Sequence, residues 1–142
     1  MDKVLFSHKS DEWYTPEEFF EKYDKVFHFT LDPCATEEHH LCEKYYTKEE
    51  NGLIQDWTDE IVFCNPPFSD IKSWVIKADQ ERAFTVMLVP ARVSTKWFHE
   101  YVYKKRYYRF LKGRLKFANL DNNSSHNAPF ESVVIFFDNL TV

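Results

Sequence analysis

Ile61-Val62-Phe63-Cys64-Asn65-Pro66-Pro67-Phe68 is the stretch on which the fold class of this chain turns. Its first half is a short, continuous apolar run, which reads as a buried strand. Its second half is a proline-stiffened polar loop at the place where ligands sit in α/β sheets, beyond a strand's carboxyl end. Proline fixes φ and donates no N–H, so Pro66 and Pro67 hold the loop rigid and point its carbonyls outward. The Asn65 side-chain oxygen and the Pro66 carbonyl can each accept one N–H of a planar –NH₂ group, and Phe68 offers a face on which a ring can stack. The combination suits one chemical task. It holds a conjugated amino group, whose lone pair is delocalised and poorly nucleophilic, while a methyl group moves onto it.

The neighbouring sequence supports an alternating pattern of strands and helices. Val26 to Leu31 is β-rich and breaks at Asp32-Pro33. Ala83 to Val89 is nearly continuous apolar sequence, as in a sheet covered on both faces, and ends at Pro90-Ala91-Arg92. Further strands are expected at residues 107–111 and 132–137. Thr15 reads as a helix N-cap, with Pro16 at the first helical position, Glu17 and Glu18 at the positive dipole end, and Phe19, Phe20 and Tyr23 as the apolar face. A short helix is expected over residues 36–44, another over residues 95–103, and turns at Asn51-Gly52 and Lys112-Gly113. Ser69-Asp70 is placed to cap a helix running to Gln80, with Ile71, Trp74, Val75 and Ala78 on one face. Residues 119–127 read as a polar loop. The alternation predicts an α/β fold, and Asp32-Pro33, Asn65-Pro66 and Pro90-Ala91-Arg92 then form one site along one sheet edge.

Composition agrees with a single domain over residues 1–142, leaving little material for a separate target-recognition domain. No segment approaches the roughly eighteen consecutive apolar residues of a membrane span. The opening Met1-Asp2-Lys3-Val4-Leu5-Phe6 lacks the apolar stretch of a signal peptide, so a cytoplasmic location is expected. Cys34, Cys42 and Cys64 accordingly read as reduced thiols. The net charge of −5 hides a strong asymmetry: residues 1–60 carry 16 acids and 6 bases, residues 61–142 carry 7 acids and 12 bases. Nine of those bases lie between Arg92 and Lys116, interleaved with Tyr101, Tyr103, Tyr107, Tyr108 and Phe110. Cations that position phosphates and aromatics that stack on bases point to nucleic acid as a partner.

The ordered blocks Trp13-x-Thr15-Pro16, Leu31-Asp32-Pro33-Cys34-Ala35, Gly52-Leu53 with Trp57, and Asn65-Pro66-Pro67-Phe68 are joined by Pro90-Ala91-Arg92, Trp97-Phe98-His99, Phe110-x-x-Gly113-Arg114-Leu115-x-Phe117 and Ala128-Pro129-Phe130. Together they resemble the bacteriophage Dam-like family of DNA N6-adenine methyltransferases, from Trp13 to Phe137. The resemblance implies a compact Rossmann-like methyltransferase fold (a mixed sheet flanked by helices), S-adenosylmethionine as methyl donor, and DNA adenine as acceptor in the cytoplasm of a bacterial host. It implies catalytic roles for Asn65, Pro66, Pro67 and Phe68. It assigns cofactor contacts to Trp13, Thr15, Pro16, Asp32, Pro33, Cys34, Ala35 and Asp56, with Trp57 flanking. Arg92, Lys96 and Arg114 are the expected DNA contacts. Phe117 and Phe130 read as core, and His99 as a helix residue satisfied by a neighbour.

One departure stands out: the chain has two glycines, Gly52 and Gly113, and no glycine-rich loop after its first strand. A nucleic-acid-binding relative without turnover is therefore an alternative. Asn65 to Phe68 recognises an –NH₂ group and not a ring, so cytosine N4, RNA adenine and a protein glutamine amide are alternative acceptors. Cys34, His39, His40 and Cys42 form a metal-capable cluster, but their spacing is not that of a usual structural zinc site. No metal is expected.

Overall fold

The computed structural model describes residues 13–119, 124–127 and 130–141. Its centre is β4 (Ile61–Cys64) beside β5 (Phe84–Pro90), and the alternation within these strands explains the layers. Val62, Cys64, Met87 and Val89 face one core, while Phe63, Val86 and Leu88 face the other. A strand buried on both faces has no polar side to show, which is why both read as unbroken apolar runs. The six-stranded sheet adds β2 (Leu31–Asp32), β3 (Lys44–Tyr45), β6 (Tyr107–Phe110) and β9 (Ser132–Asp138), in the order β3-β2-β4-β5-β9-β6. β3, β2, β4 and β5 run parallel, and β9 is reversed, pairing antiparallel with β5 on one side and with β6 on the other, with Pro90 opposite Ser132 and Phe110 opposite Val133. This is the mixed, Rossmann-like sheet expected. A second sheet, in the order β1-β7-β8, joins β1 (Trp13–Tyr14), β7 (Lys116–Asn119) and β8 (Ser124–Asn127).

Helix α1 (Glu17–Phe27) covers one face of the large sheet, with Phe20 edge-on to Phe63 at 5.2 Å. Helix α2 (Ile71–Gln80) belongs to the other core, and the four residues expected on its apolar face are the four it buries. Asp70 is its N-cap, accepting from the Ser73 hydroxyl at 2.8 Å. No described helix is long and apolar enough to cross a membrane.

Four local expectations are corrected. Val26 and Phe27 end α1 instead of starting a strand: the helical stripe Phe20, Tyr23, Phe27 continues to His28, which adopts a left-handed conformation (φ 56°) and stops the helix. Residues 36–44 are not a helix. The Asp32 carboxylate takes the Leu41 N–H at 2.9 Å and the Thr36 hydroxyl takes the His39 N–H at 3.0 Å, so side chains compete for the donors a helix would use. The helical turn after residue 95 widens into a π-type turn over Phe98–Val102, with Tyr103 N–H bonding the Phe98 carbonyl at 2.8 Å. Within the expected polar loop 119–127, Ser124–Asn127 is a strand formed by backbone pairing with β7, for which its polar side chains carry no apolar signal. Met1 to Phe6, Ala128 and Pro129 lie outside the described residues.

Candidate active site

The parallel strands β2, β4 and β5 all end at one sheet edge, and the first two open into a cleft of about 1160 Å³. Asp32, Pro33, Cys34 and Ala35 at the end of β2, Asn65, Pro66 and Pro67 after β4, and Trp13 and Thr15 from the segment before α1 all line it. Sequence reasoning placed all nine at a site, and the structure brings them together around this cleft.

Asn65 is the most constrained polar group there. Its Nδ2 donates to the Trp13 carbonyl at 2.6 Å and to the Thr15 hydroxyl at 3.0 Å. Its Oδ1 is buried and accepts no hydrogen bond among the described residues. A buried acceptor without a donor costs about 1–3 kcal/mol, and an arriving N–H would recover it. The next two residues fix the backbone: Pro66 is buried, and Pro67 is extended (φ −61°, ψ 136°), its carbonyl accepting from Asp70 N–H at 3.3 Å as the chain turns into α2. Thr15, expected to cap α1, spends its hydroxyl on Asn65 instead. Pro16 occupies the N-cap position, without a side-chain cap.

The Asp32 loop is held from within. Asp32 is 4% exposed, and its two oxygens accept from Cys34 N–H at 3.2 Å and Leu41 N–H at 2.9 Å. Burial pushes its carboxyl up to about 6, against the opposing effect of those two amides and of nearby His40. Burial likewise raises the Cys34 thiol well above its ordinary value, and the Cys64 sulfur lies 3.7 Å away. Gly52 explains how the loop sits so close to the next turn. A Cβ on Gly52 would stand 2.4 Å from the Pro33 carbonyl oxygen and 3.0 Å from the Trp74 ring. Close backbone approach is thus provided by a glycine on the opposing turn, and not by a glycine-rich loop after β2.

The cleft is acidic. Glu17, Glu21, Asp24, Asp32 and Glu38 line it against one lysine, Lys48. Tyr14 and His39, stacked at 4.1 Å, also line it, although no sequence signal paired them.

Other expected site residues fall elsewhere. Asp56 is exposed and lies away from the cleft lining; its Oδ1 closes a local turn by accepting from the Thr58 N–H (2.8 Å) and hydroxyl (2.5 Å). Trp57 is fully buried, donating its indole N–H to the Gly52 carbonyl at 3.0 Å and packing against Trp74. It supports the Gly52 turn from inside the core and is not among the residues that line the cleft. Phe68 is half-buried and stands just beyond the cleft, edge-on to Phe130 at 5.2 Å and to buried Phe117 at 6.3 Å. Arg92 is exposed beside it, bonding the Phe68 carbonyl at 3.3 Å, and Lys96 is exposed at the start of the next helical turn. Arg114 is exposed and pairs with Glu131 at 3.4 Å, a residue whose carbonyl accepts from Ala91 N–H. His99 is exposed and packs edge-on against Tyr103. His40 stacks on Tyr45, with Nδ1 2.9 Å from the Cys42 carbonyl. Among the described residues no three His, Cys, Asp or Glu side chains converge as a metal site.

The comparisons with known proteins fit this arrangement. Residues 3–141 match the family profile described as "DNA N-6-adenine-methyltransferase (Dam)". The chain is 35% identical over 98 residues to the DNA N-6-adenine-methyltransferase of Haemophilus phage HP1, covering 63% of this chain and 57% of that protein. It is 38% identical over 98 residues to the protein of the same name from Escherichia phage T1, covering 63% of this chain and 40% of that one. The match thus spans about half the length of these relatives. With the family profile matched along almost the whole sequence, the chain belongs to the DNA N-6-adenine-methyltransferase (Dam) family.

Proposed function

We propose that this protein transfers a methyl group from S-adenosylmethionine to N6 of an adenine in DNA, with the base swung out of the stack to reach Asn65. The observation that carries the reading is the buried, unpartnered Asn65 Oδ1 at the end of β4, its amide held from behind through both Nδ2 hydrogens. The names of the relatives supply the acceptor, since the site itself selects an –NH₂ group and not a particular ring.

The cleft fits the cofactor in size and in charge. Five carboxylates against one lysine favour a ligand of net positive charge, as S-adenosylmethionine is with a sulfonium and an ammonium against one carboxylate, and Pro33, Cys34 and Ala35 line the cleft with small side chains. Bound there, S-adenosylmethionine supplies an electrophilic methyl group. Asn65 Oδ1 and the Pro66 carbonyl accept the two N6 hydrogens, which draws the nitrogen toward a tetrahedral, more nucleophilic geometry. Phe68, braced by Phe130 and Phe117, stacks on the base and offsets part of its unstacking cost, a few kcal/mol. Because Oδ1 is shielded, the surrounding wall parts as the base enters, and the recovered hydrogen bond favours the bound state. Catalysis is then alignment and polarisation by preorganised acceptors, with the surplus N6 proton leaving to solvent. The acidic cleft repels phosphate, whereas the exposed cations Arg92 (beside Phe68), Lys96 and Arg114 attract it outside the cleft, so the two substrates are sorted by charge.

The test is transfer of a labelled methyl group from S-adenosylmethionine to unmethylated DNA by the native protein and by Asn65→Ala. Label recovered as N6-methyladenine, and lost in the variant while cofactor binding persists, is the expected result. Label recovered on another nucleoside refutes adenine as acceptor, and parallel loss of turnover and cofactor binding refutes the role of Asn65.

A further inference from the structure

We infer that Thr15, together with the Trp13 backbone carbonyl, sets the orientation of the Asn65 amide and so acts as a positioning residue for amino-group recognition. The inference rests on the proposed role of Asn65 as the base-binding residue. A primary amide is nearly symmetric in shape, and either end fills the same space; its partners decide which end faces a ligand.

Here both Nδ2 hydrogens are engaged, by the Trp13 carbonyl at 2.6 Å and the Thr15 hydroxyl at 3.0 Å. A carbonyl only accepts. Rotating the amide by half a turn would set Oδ1 against the Trp13 oxygen and aim two N–H donors at an incoming –NH₂ group, which needs an acceptor. The Trp13 carbonyl therefore dictates the sense of the amide, and the Thr15 hydroxyl takes the second hydrogen and holds its dihedral. Thr15 does not cap α1: the N-cap position is Pro16, which has no side-chain acceptor, and the Thr15 hydroxyl one residue earlier serves Asn65.

The clamp is itself anchored at both ends. Trp13 and Tyr14 form β1, paired with Asn119 and Ala118 of β7, and the Trp13 ring lies edge-on to buried Phe117 at 6.2 Å. On the other side Pro16 fixes the backbone into α1, where its carbonyl accepts the Phe20 N–H at 3.1 Å. Thr15 sits between two pinned segments, 50 residues away in sequence from the side chain it holds.

Thr15→Val preserves shape and removes the acceptor, whereas Thr15→Ser keeps the hydroxyl. At saturating S-adenosylmethionine and unmethylated DNA, Thr15→Val is expected to lower kcat roughly three- to ten-fold, the loss of one orienting hydrogen bond. KM for S-adenosylmethionine should change less than kcat, and Thr15→Ser should restore most of the rate. A second readout needs no substrate. In ¹⁵N-labelled protein, the Asn65 side-chain NH₂ signals, assigned by their absence in Asn65→Ala, should shift and exchange faster with water in Thr15→Val but not in Thr15→Ser. Asn65 signals unmoved by Thr15→Val, or a Thr15→Val that weakens cofactor binding with kcat intact, would overturn the assignment. If the native protein transfers no methyl group to DNA, the proposed function fails, and the amide signals alone still decide the positioning role.

Discussion

Gly52→Ala replaces one hydrogen by a methyl group, yet the structure gives that carbon nowhere to go. Its nearest neighbour would be a backbone atom, the Pro33 carbonyl oxygen at 2.4 Å, with the Trp74 ring at 3.0 Å behind it. Ordinary contact begins at 3.4 Å, so either the Pro33 loop or the Gly52 turn must move by about an ångström. Neither is free to do so. The turn is tied to the core by the Trp57 indole N–H, and the loop by the two amides that Asp32 accepts. Overpacking at such a site costs typically about 1–3 kcal/mol. The expected result in urea denaturation is a midpoint lowered by that energy divided by the slope, with the slope itself unchanged. Because the displaced loop lines the cleft, S-adenosylmethionine affinity measured by calorimetry should fall as well. A Gly52→Ala protein with native stability and native cofactor affinity would refute the view that this glycine replaces the missing glycine-rich loop.

Asp32 makes stability depend on pH in an unusual direction for a carboxylate. Burial raises its folded pKa from 3.8 to about 6, so its contribution is fully present below 3.8 and is lost as pH rises through about 6; the difference is on the order of 3 kcal/mol. Denaturation from pH 4 to 7 measures it, and the decline should vanish in a variant whose residue 32 does not ionise. Binding a cationic ligand nearby should lower that pKa again, so calorimetry at pH 6 in buffers of different ionisation heat should register proton release that disappears at pH 8. Removing Arg92 or Lys96 should weaken DNA binding across sequences and reduce the slope of log affinity against log salt by roughly 1 each; an unchanged slope places the phosphate elsewhere. Asp56→Ala should leave cofactor affinity unchanged, since the carboxylate serves a turn with Thr58 outside the cleft.

The sequence by itself determined the elements whose side chains carry their own period. Buried strands announced β4 and β5, the Ile71-Trp74-Val75-Ala78 stripe announced α2, and the proline-bearing exits of β2, β4 and β5 announced a shared edge. These features are local, and both cores act on them alike. The tertiary structure alone decided the rest. Whether Val26 and Phe27 were strand or helix depended on α1 continuing its stripe onto Phe63 and its neighbours. Whether residues 36–44 formed a helix depended on the Asp32 carboxylate reaching nine residues ahead to Leu41. Asp56 and Trp57, adjacent in sequence, were divided by burial: one closes an exposed turn, the other is sealed in the core. The role of Thr15 was hidden most completely. A threonine before a proline reads as a helix cap at short range, and only the pairing of β1 with β7 brings its hydroxyl to an amide 50 residues away. Periodicity records what a segment buries, but the choice of partner for a single hydroxyl or carboxylate is made by distant chain, and no local pattern encodes it.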